Sequence, residues 1–189
     1  MTEIRAPKRG QGVPKETPEQ NCISDLQMRD ATVCLLVRGN PPQEILLGLK
    51  KAGFAAGKLN GIGGKVEPGE TVTAAAIREL EEEIGIKATE EDLEAVGHFT
   101  FVFSAMPEWN QTVHTFLLRS WRGEPRESDE MAPAWFSVNQ IPFGRMWPDD
   151  SHWLPKVLAG ERVRARYVYA EDGETIEHFE VEPWDTVSV

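Results

Sequence analysis

Residues 64–86 read GKVEPGETVTAAAIRELEEEIGI, and the rest of the chain is best read outward from this stretch. Gly64, Pro68 and Gly69 open it as a loop, and the segment Thr71–Ile84 has the composition of a helix. Thr71 is a candidate N-cap and Gly85 a candidate left-handed residue just past the end. An α-helix turns by about 100° per residue. On that wheel Ile77, Leu80 and Ile84 share one face, the expected core stripe. Glu79, Glu82 and Glu83 gather on a different face as convergent acids, and Glu81 points away from them. Like charges at this spacing cost about 0.2–0.5 kcal/mol per pair, so a sequence selected only for helix stability would intersperse lysines. Clustered hard oxygen donors suit Mg²⁺ or Mn²⁺, and Mg²⁺ commonly joins a few carboxylates to substrate phosphates. Arg78, at the edge of the acid face, can reach back to Glu70 and orient a ligating carboxylate. Gly61, Gly63, Gly64 and Gly69 supply a backbone that can turn tightly and approach a phosphate closely.

Strand-like segments surround this loop and helix. Ala31–Arg38 is apolar and β-branched, as a buried strand should be. Asn40-Pro41-Pro42 turns the chain into a return strand at Glu44–Leu49, and a short strand is expected near Leu59–Ile62. Val96–Phe103 and Thr112–Trp121 form a pair joined through a loop containing Pro107, and Ala134–Val138 is a further strand. Asp150–Ala159 is the second helix, with Pro155 in its early part or bending it. Arg162–Ala170 and Thr175–Val181 form a hairpin across Glu171–Glu174. Two helices among roughly six to eight strands predict an α+β fold, an α/β/α sandwich. Residues 1–27 are polar and carry Pro7, Pro14 and Pro18; a disordered leader is expected there, followed by one domain over 28–189.

Composition narrows the function. The 189 residues are 40% hydrophobic, enough for a real core. A net charge of −11 argues against long nucleic acid as a partner, which needs a basic surface. It leaves room for a single nucleotide whose charge is met by metal ions. Cys22 and Cys34 suggest no disulfide framework, and a reducing cytoplasm is the expected location. No apolar run reaches about 18 residues, so no membrane span is expected. His98, His114, His152 and His178 show no metal-ligand spacing.

The stretch from Gly64 to Ile86 resembles the Nudix box at every position: the loop glycines, Glu70, Arg78-Glu79, Glu82-Glu83 and the terminal Gly85. The resemblance implies metal-assisted hydrolysis of a nucleoside diphosphate linked to some further group. It implies that Glu79, Glu82 and Glu83 bind metal, with Gly63 assisting through its carbonyl. Three longer segments are similar to the oxidised purine nucleoside triphosphatases of that family: 46–71, 127–153 (including SDEM and MWPDD) and the C-terminal hairpin. This closer resemblance implies hydrolysis of 8-oxo-dGTP and 2-oxo-dATP to the monophosphate and pyrophosphate. The protein would act as a monomer on a free nucleotide.

Carried over residue by residue, Asn60 would bond the purine, and Asp149 and Asp150 would read the base edge. Trp147 would stack on the base, with Phe54 and Phe101 walling the pocket. Glu130 would bind metal or activate water. Apart from the resemblance, Lys50 and Lys51 are read either as attracting phosphate or as plain exposed lysines. Adjacent carboxylates in a dry pocket can share one proton, so one donates while the other accepts, and a pair able to exchange those roles could accept both oxidised guanine and oxidised adenine. A competing role exists for Pro148-Asp149-Asp150-Ser151, as an ordinary helix start in which an aspartate caps. Phe99, Phe101 and Phe103 alternate and share one sheet face, which core packing alone would explain. Leu59 and Ile62 stand where the family often has bulkier aromatics, and Ser104–Gln111, with Trp109, differs from the pattern. These departures admit another substrate, such as a methylated purine nucleotide. A non-catalytic nucleotide-binding module is a further alternative. The general base is left open among Glu79, Glu82, Glu83 and Glu130.

Overall fold

The computed structural model describes residues 28–53 and 55–184. The leader 1–27 with Cys22, the expected pocket residue Phe54, and residues 185–189 lie outside the described residues. The described strands are β1 (Arg29–Arg38), β2 (Glu44–Lys50), β3 (Leu59–Asn60), β4 (Glu94–Phe103), β5 (Gln111–Leu118), β6 (Met131–Ser137), β7 (Val163–Tyr169) and β8 (Ile176–Pro183). Helix α1 spans Val72–Ile84 and helix α2 Asp150–Leu158. The strands form one eight-stranded sheet in the order β3-β2-β1-β5-β4-β7-β8, with β6 also paired to β2. Two pairings are parallel, β1 with β5 and β4 with β7, and the others are antiparallel. The central sheet is therefore mixed, as an α/β/α sandwich of this kind allows.

Strand β1 shows why two helical layers form. Ala31, Val33, Leu35 and Val37 point to one cluster and Cys34 and Leu36 to the other, so both of its faces need cover. Helix α1 covers the second cluster with Ala76, Leu80 and Ile84. Helix α2 covers the first with Trp153, Leu154 and Val157, against Phe99, Phe101, Phe103, Tyr167 and Tyr169. The result is the expected α/β/α sandwich.

Local signals explain the ends of α1. The Thr71 hydroxyl accepts from the Ala74 N–H at 3.1 Å, and Gly85 closes the helix at φ 71°. The expected core stripe needs one correction. Ile77 is only half-buried, while Ala75, Ala76, Leu80, Glu83 and Ile84 are buried. Two small alanines let the helix lie close to β1, and this rotates Ile77 to the margin and Glu83 inward. In α2, Pro155 sits in the second turn rather than the first.

Two tertiary pairings position the site. The segment after β3 runs antiparallel beside β1: Cys34 and Ile62 exchange backbone hydrogen bonds at 2.6 and 3.0 Å, and the Thr32 N–H donates to the Gly64 carbonyl at 2.8 Å. This pins the glycine loop over the start of the sheet. The parallel pairing of β7 with β4 sets Tyr169 opposite Phe103 and carries the C-terminal hairpin to the N-terminus of α2.

Candidate active site

The glycine loop and α1 build one end of the site. Gly63 adopts φ 156°, and a Cβ there would lie 2.1 Å from the Thr32 carbonyl oxygen, so only glycine fits. Its N–H donates to Glu83 Oε2 at 3.0 Å. Lys50, the last residue of β2, donates to Glu83 Oε1 at 2.7 Å. Glu83 is 2% exposed. Burial pushes its carboxyl up, and Lys50 and the Gly63 N–H oppose that in part. Burial pulls the Lys50 ammonium down, but its bond to Glu83 and the charges of Glu83, Glu130 and Glu79 more than reverse this.

Arg78 clamps the other acids. Its Nε and Nη2 donate to both oxygens of Glu70 at 3.0 Å each, as expected from their spacing, and Nη2 also donates to the Lys65 carbonyl at 3.0 Å. Its Nη1 bridges Glu79 at 2.8 Å and Glu82 at 3.1 Å. Bonding to Arg78, and then to the Glu67 N–H, holds the Glu70 carboxyl below the usual range. The Glu79 carboxylate lies against Gly64, where a Cβ would be 2.3 Å from Oε1.

The three box acids do not meet at one point, contrary to the sequence expectation. Among the described residues no three acidic, histidine or cysteine side chains form a ready metal cage. Glu79 lines the cavity, Glu82 is largely exposed, and Glu83 is turned inward. Like charges part, and each pair is bridged by its own cation: Arg78 between Glu79 and Glu82, Lys50 between Glu83 and Glu130 at 2.7 and 3.6 Å. One nitrogen touching two carboxylates puts each pair within reach of a common positive centre. Hard oxygen donors so paired fit a divalent metal ion. Lys51, by contrast, pairs with Glu127 at 2.6 Å, away from these acids.

A cavity of about 780 Å³ runs from Glu79, Gly64, Lys50 and Glu130 to Asn60, Trp147, Asp149 and Asp150. The fold thus gathers the expected site residues that are described around one cavity, except that Arg78, Glu82 and Glu83 do not line it. Phe101 and Phe103 form part of its apolar wall; Phe101 stacks on Tyr167 with ring centres 5.6 Å apart, and Phe103 on Tyr169 at 4.7 Å. Trp109 packs edge-on against Phe103 rather than lining the cavity.

The aspartates are not simple caps. Asp149 is 3% exposed and accepts from Trp153 Nε1 at 2.9 Å and from the Tyr169 hydroxyl. It makes no side-chain cap bond. Asp150 is buried and accepts from the Trp147 N–H, upstream of the helix, at 3.0 Å. Burial raises the carboxyls of both, and the charge of Asp149 raises Asp150 further.

Sequence reasoning missed Tyr169 and Lys58, and weighed Trp153 between a core residue at the helix end and a site residue. Trp153 lies one helical turn after Asp149, a spacing that was readable. Tyr169 reaches Asp149 only through the β4–β7 register, which no local pattern shows. Lys58 holds its ammonium 4.7 Å from the Trp147 ring centre and pairs with Glu174 at 2.8 Å. That contact depends on a loop and a distant hairpin meeting.

Residues 28–157 match the family model described as the NUDIX domain, and with this fold and box the chain belongs to the Nudix family. It is 46% identical over 135 residues to the oxidized purine nucleoside triphosphate hydrolase of Mus musculus, spanning 71% of this chain and 84% of that protein. The protein of the same name from Danio rerio is 44% identical over 147 residues, spanning 78% and 90%. Among solved structures, a MutT protein from Bacillus halodurans superposes with a TM-score of 0.70 at 23% identity, over 82% of this chain and 98% of that one. That likeness speaks for the fold alone.

Proposed function

We propose that this chain hydrolyses oxidised purine nucleoside triphosphates, 8-oxo-dGTP and 2-oxo-dATP, to the monophosphate and pyrophosphate, and so clears damaged precursors from the nucleotide pool. One observation carries the reading: a single cavity has the box acid Glu79 at one end and a buried aspartate pair at the other. The relatives named as oxidized purine nucleoside triphosphate hydrolases support it.

Mg²⁺, with Mn²⁺ as a substitute, would be held by Glu79, Glu82, Glu83 and Glu130 with the Gly63 carbonyl; when bound it offsets phosphate charge and lowers the pKa of attacking water. Arg78 keeps Glu79 and Glu82 adjacent. Glu79 and Glu130 line the cavity and are positioned to accept the proton of attacking water. Lys50 holds Glu83 and stands at the phosphate end. Trp147 offers a ring for stacking the base, Asn60 a hydrogen-bonding amide, and Phe101 an apolar wall. Asp150, whose carboxyl burial raises, donates to the base, and Asp149 accepts from it.

The protein acts as a monomer on free nucleotide in the cytoplasm. Its net charge of −11 disfavours long nucleic acid, and no helix among the described residues is long and apolar enough to cross a membrane. Steady-state kcat/KM for 8-oxo-dGTP, 2-oxo-dATP and dGTP tests the proposal. Higher values for the oxidised bases are expected; equal or lower values would refute it. Glu130→Gln against Glu79→Gln in the same assay assigns the proton acceptor.

A further inference from the structure

The aspartate pair carries an asymmetry beyond its reading of the base, and the inference rests on that proposed role. Both carboxylate oxygens of Asp149 are occupied by donors: Oδ2 by Trp153 Nε1 at 2.9 Å and Oδ1 by the Tyr169 hydroxyl. Asp150 receives one hydrogen bond, from the Trp147 N–H at Oδ2. Its Oδ1 takes none from the protein among the described residues. We propose that Tyr169 is the specificity-determining residue of this pocket: by donating to Asp149 it keeps that carboxyl the permanent acceptor and leaves Asp150 the permanent donor.

Buried neighbouring carboxyls share a proton, and the proton goes where fewer hydrogen bonds favour the charge. An indole N–H can only donate, so Trp153 always favours an ionised Asp149. A phenol can also accept, so Tyr169 is the adjustable partner. It is held in place by its stack on Phe103, at 4.7 Å and 11°. For the two aspartates to exchange roles, the Tyr169 hydroxyl must rotate away from its present donation, and the new charge on Asp150 gains no equivalent donor. Other groups facing the pair do not reverse this bias. His152 on α2 lowers the Asp149 carboxyl, in the same sense, and Lys58 over the Trp147 ring lowers Asp150, in the opposite sense but by less than burial and Asp149 raise it. The Tyr167 hydroxyl has no hydrogen-bond partner among the described residues. Burial raises both aspartates, and the Asp149 charge raises Asp150 further. The cavity therefore presents one fixed acceptor and one fixed donor. It selects purines whose edge offers the complementary pair, and it discriminates between oxidised guanine and oxidised adenine rather than accepting both equally.

The test uses the full chain with Tyr169→Phe, which preserves the stacked ring, and Tyr167→Phe as a control. The readouts are the kcat/KM ratio of 8-oxo-dGTP to 2-oxo-dATP and the pH profile of kcat/KM for the better substrate. Loss of a hydrogen bond to a charged group is worth about a ten-fold change. The wild type is expected to favour one base, and Tyr169→Phe to bring the ratio about ten-fold closer to one. Removing a donor that favours the ionised Asp149 also raises its pKa, so the acid limb moves to higher pH. Tyr167→Phe should leave the limb in place. An unchanged ratio and limb in Tyr169→Phe would overturn the inference, provided Asp149→Asn or Asp150→Asn does change the ratio. If neither asparagine variant changes it, the base-reading role itself fails.

Discussion

The two ends of the cavity are both built from acids on a helix, yet they handle charge in opposite ways. At α1 the carboxylates are matched by cations: Arg78 bridges Glu79 and Glu82, and Lys50 bridges Glu83 and Glu130. At α2 the carboxylates Asp149 and Asp150 are buried, and their nearest hydrogen-bond donors are neutral: an indole, a phenol and a backbone N–H. A cation-matched acid can exchange its partner for a metal. A buried acid beside another carboxylate holds a proton and can recognise an uncharged base. Position within the fold, not residue type, decides which chemistry an acid performs.

The comparison breaks most sharply at Glu79. Glu79→Gln should lower kcat by about a thousand-fold, the scale of losing a transition-state charge stabiliser. The melting temperature should change little, and kinetics with thermal melting on one preparation checks both. A fall of less than ten-fold would mean that Glu79 is part of a salt-bridge network and no more.

Gly63→Ala attacks the same end through the backbone. The added Cβ would overlap the Thr32 carbonyl oxygen. Overpacking of this kind costs about 1–3 kcal/mol, which calorimetry would read as a drop of roughly 2–10 °C.

At the other end, Asp150→Asn tests for the bound proton through stability. Folded Asp150 keeps its proton well above the pH at which the unfolded chain releases it. Across that window the unfolded state holds fewer protons, so stability falls as pH rises, by up to about 1.4 kcal/mol per pH unit. Asparagine has no such dependence. The melting difference, variant minus wild type, should therefore grow more positive from pH 5 to pH 8. A flat difference would mean that Asp150 is ionised in the folded protein.

Lys58→Ala should have the smallest effect. It removes an amine over the Trp147 ring and an exposed ion pair with Glu174. Such contacts are each worth about 0.5–1 kcal/mol, so KM should rise about two- to five-fold with kcat unchanged.

What was legible follows the range of the interactions. Thr71, Gly85 and the acids of α1 lie within a few turns of one another, so helix periodicity and caps revealed them. Arg78 reaching Glu70 was readable for the same reason. Ile77 was misplaced because a wheel gives relative angles, while the rotation of the helix on the sheet depends on Ala75 and Ala76 meeting β1. The convergence of Glu79, Glu82 and Glu83 was overstated because a shared face does not set side-chain rotamers, and Arg78 and Lys50 draw the carboxylates apart. At α2 the sequence alone left capping and base reading in competition for Asp149 and Asp150. The hydrogen bonds from Trp153, Tyr169 and the Trp147 N–H removed the capping role.

By itself, the sequence determined the helix, its acid face, the glycine loop and the alternating strands, because these depend on neighbours within a few residues. The resemblance carried by the box pointed to the chemistry. Only the tertiary structure decided that β7 lies parallel to β4, that Tyr169 therefore meets Asp149, and that one cavity joins Glu79 to the aspartate pair. Those outcomes rest on burial and on contacts between residues far apart in the chain, which leave no periodic trace in the sequence.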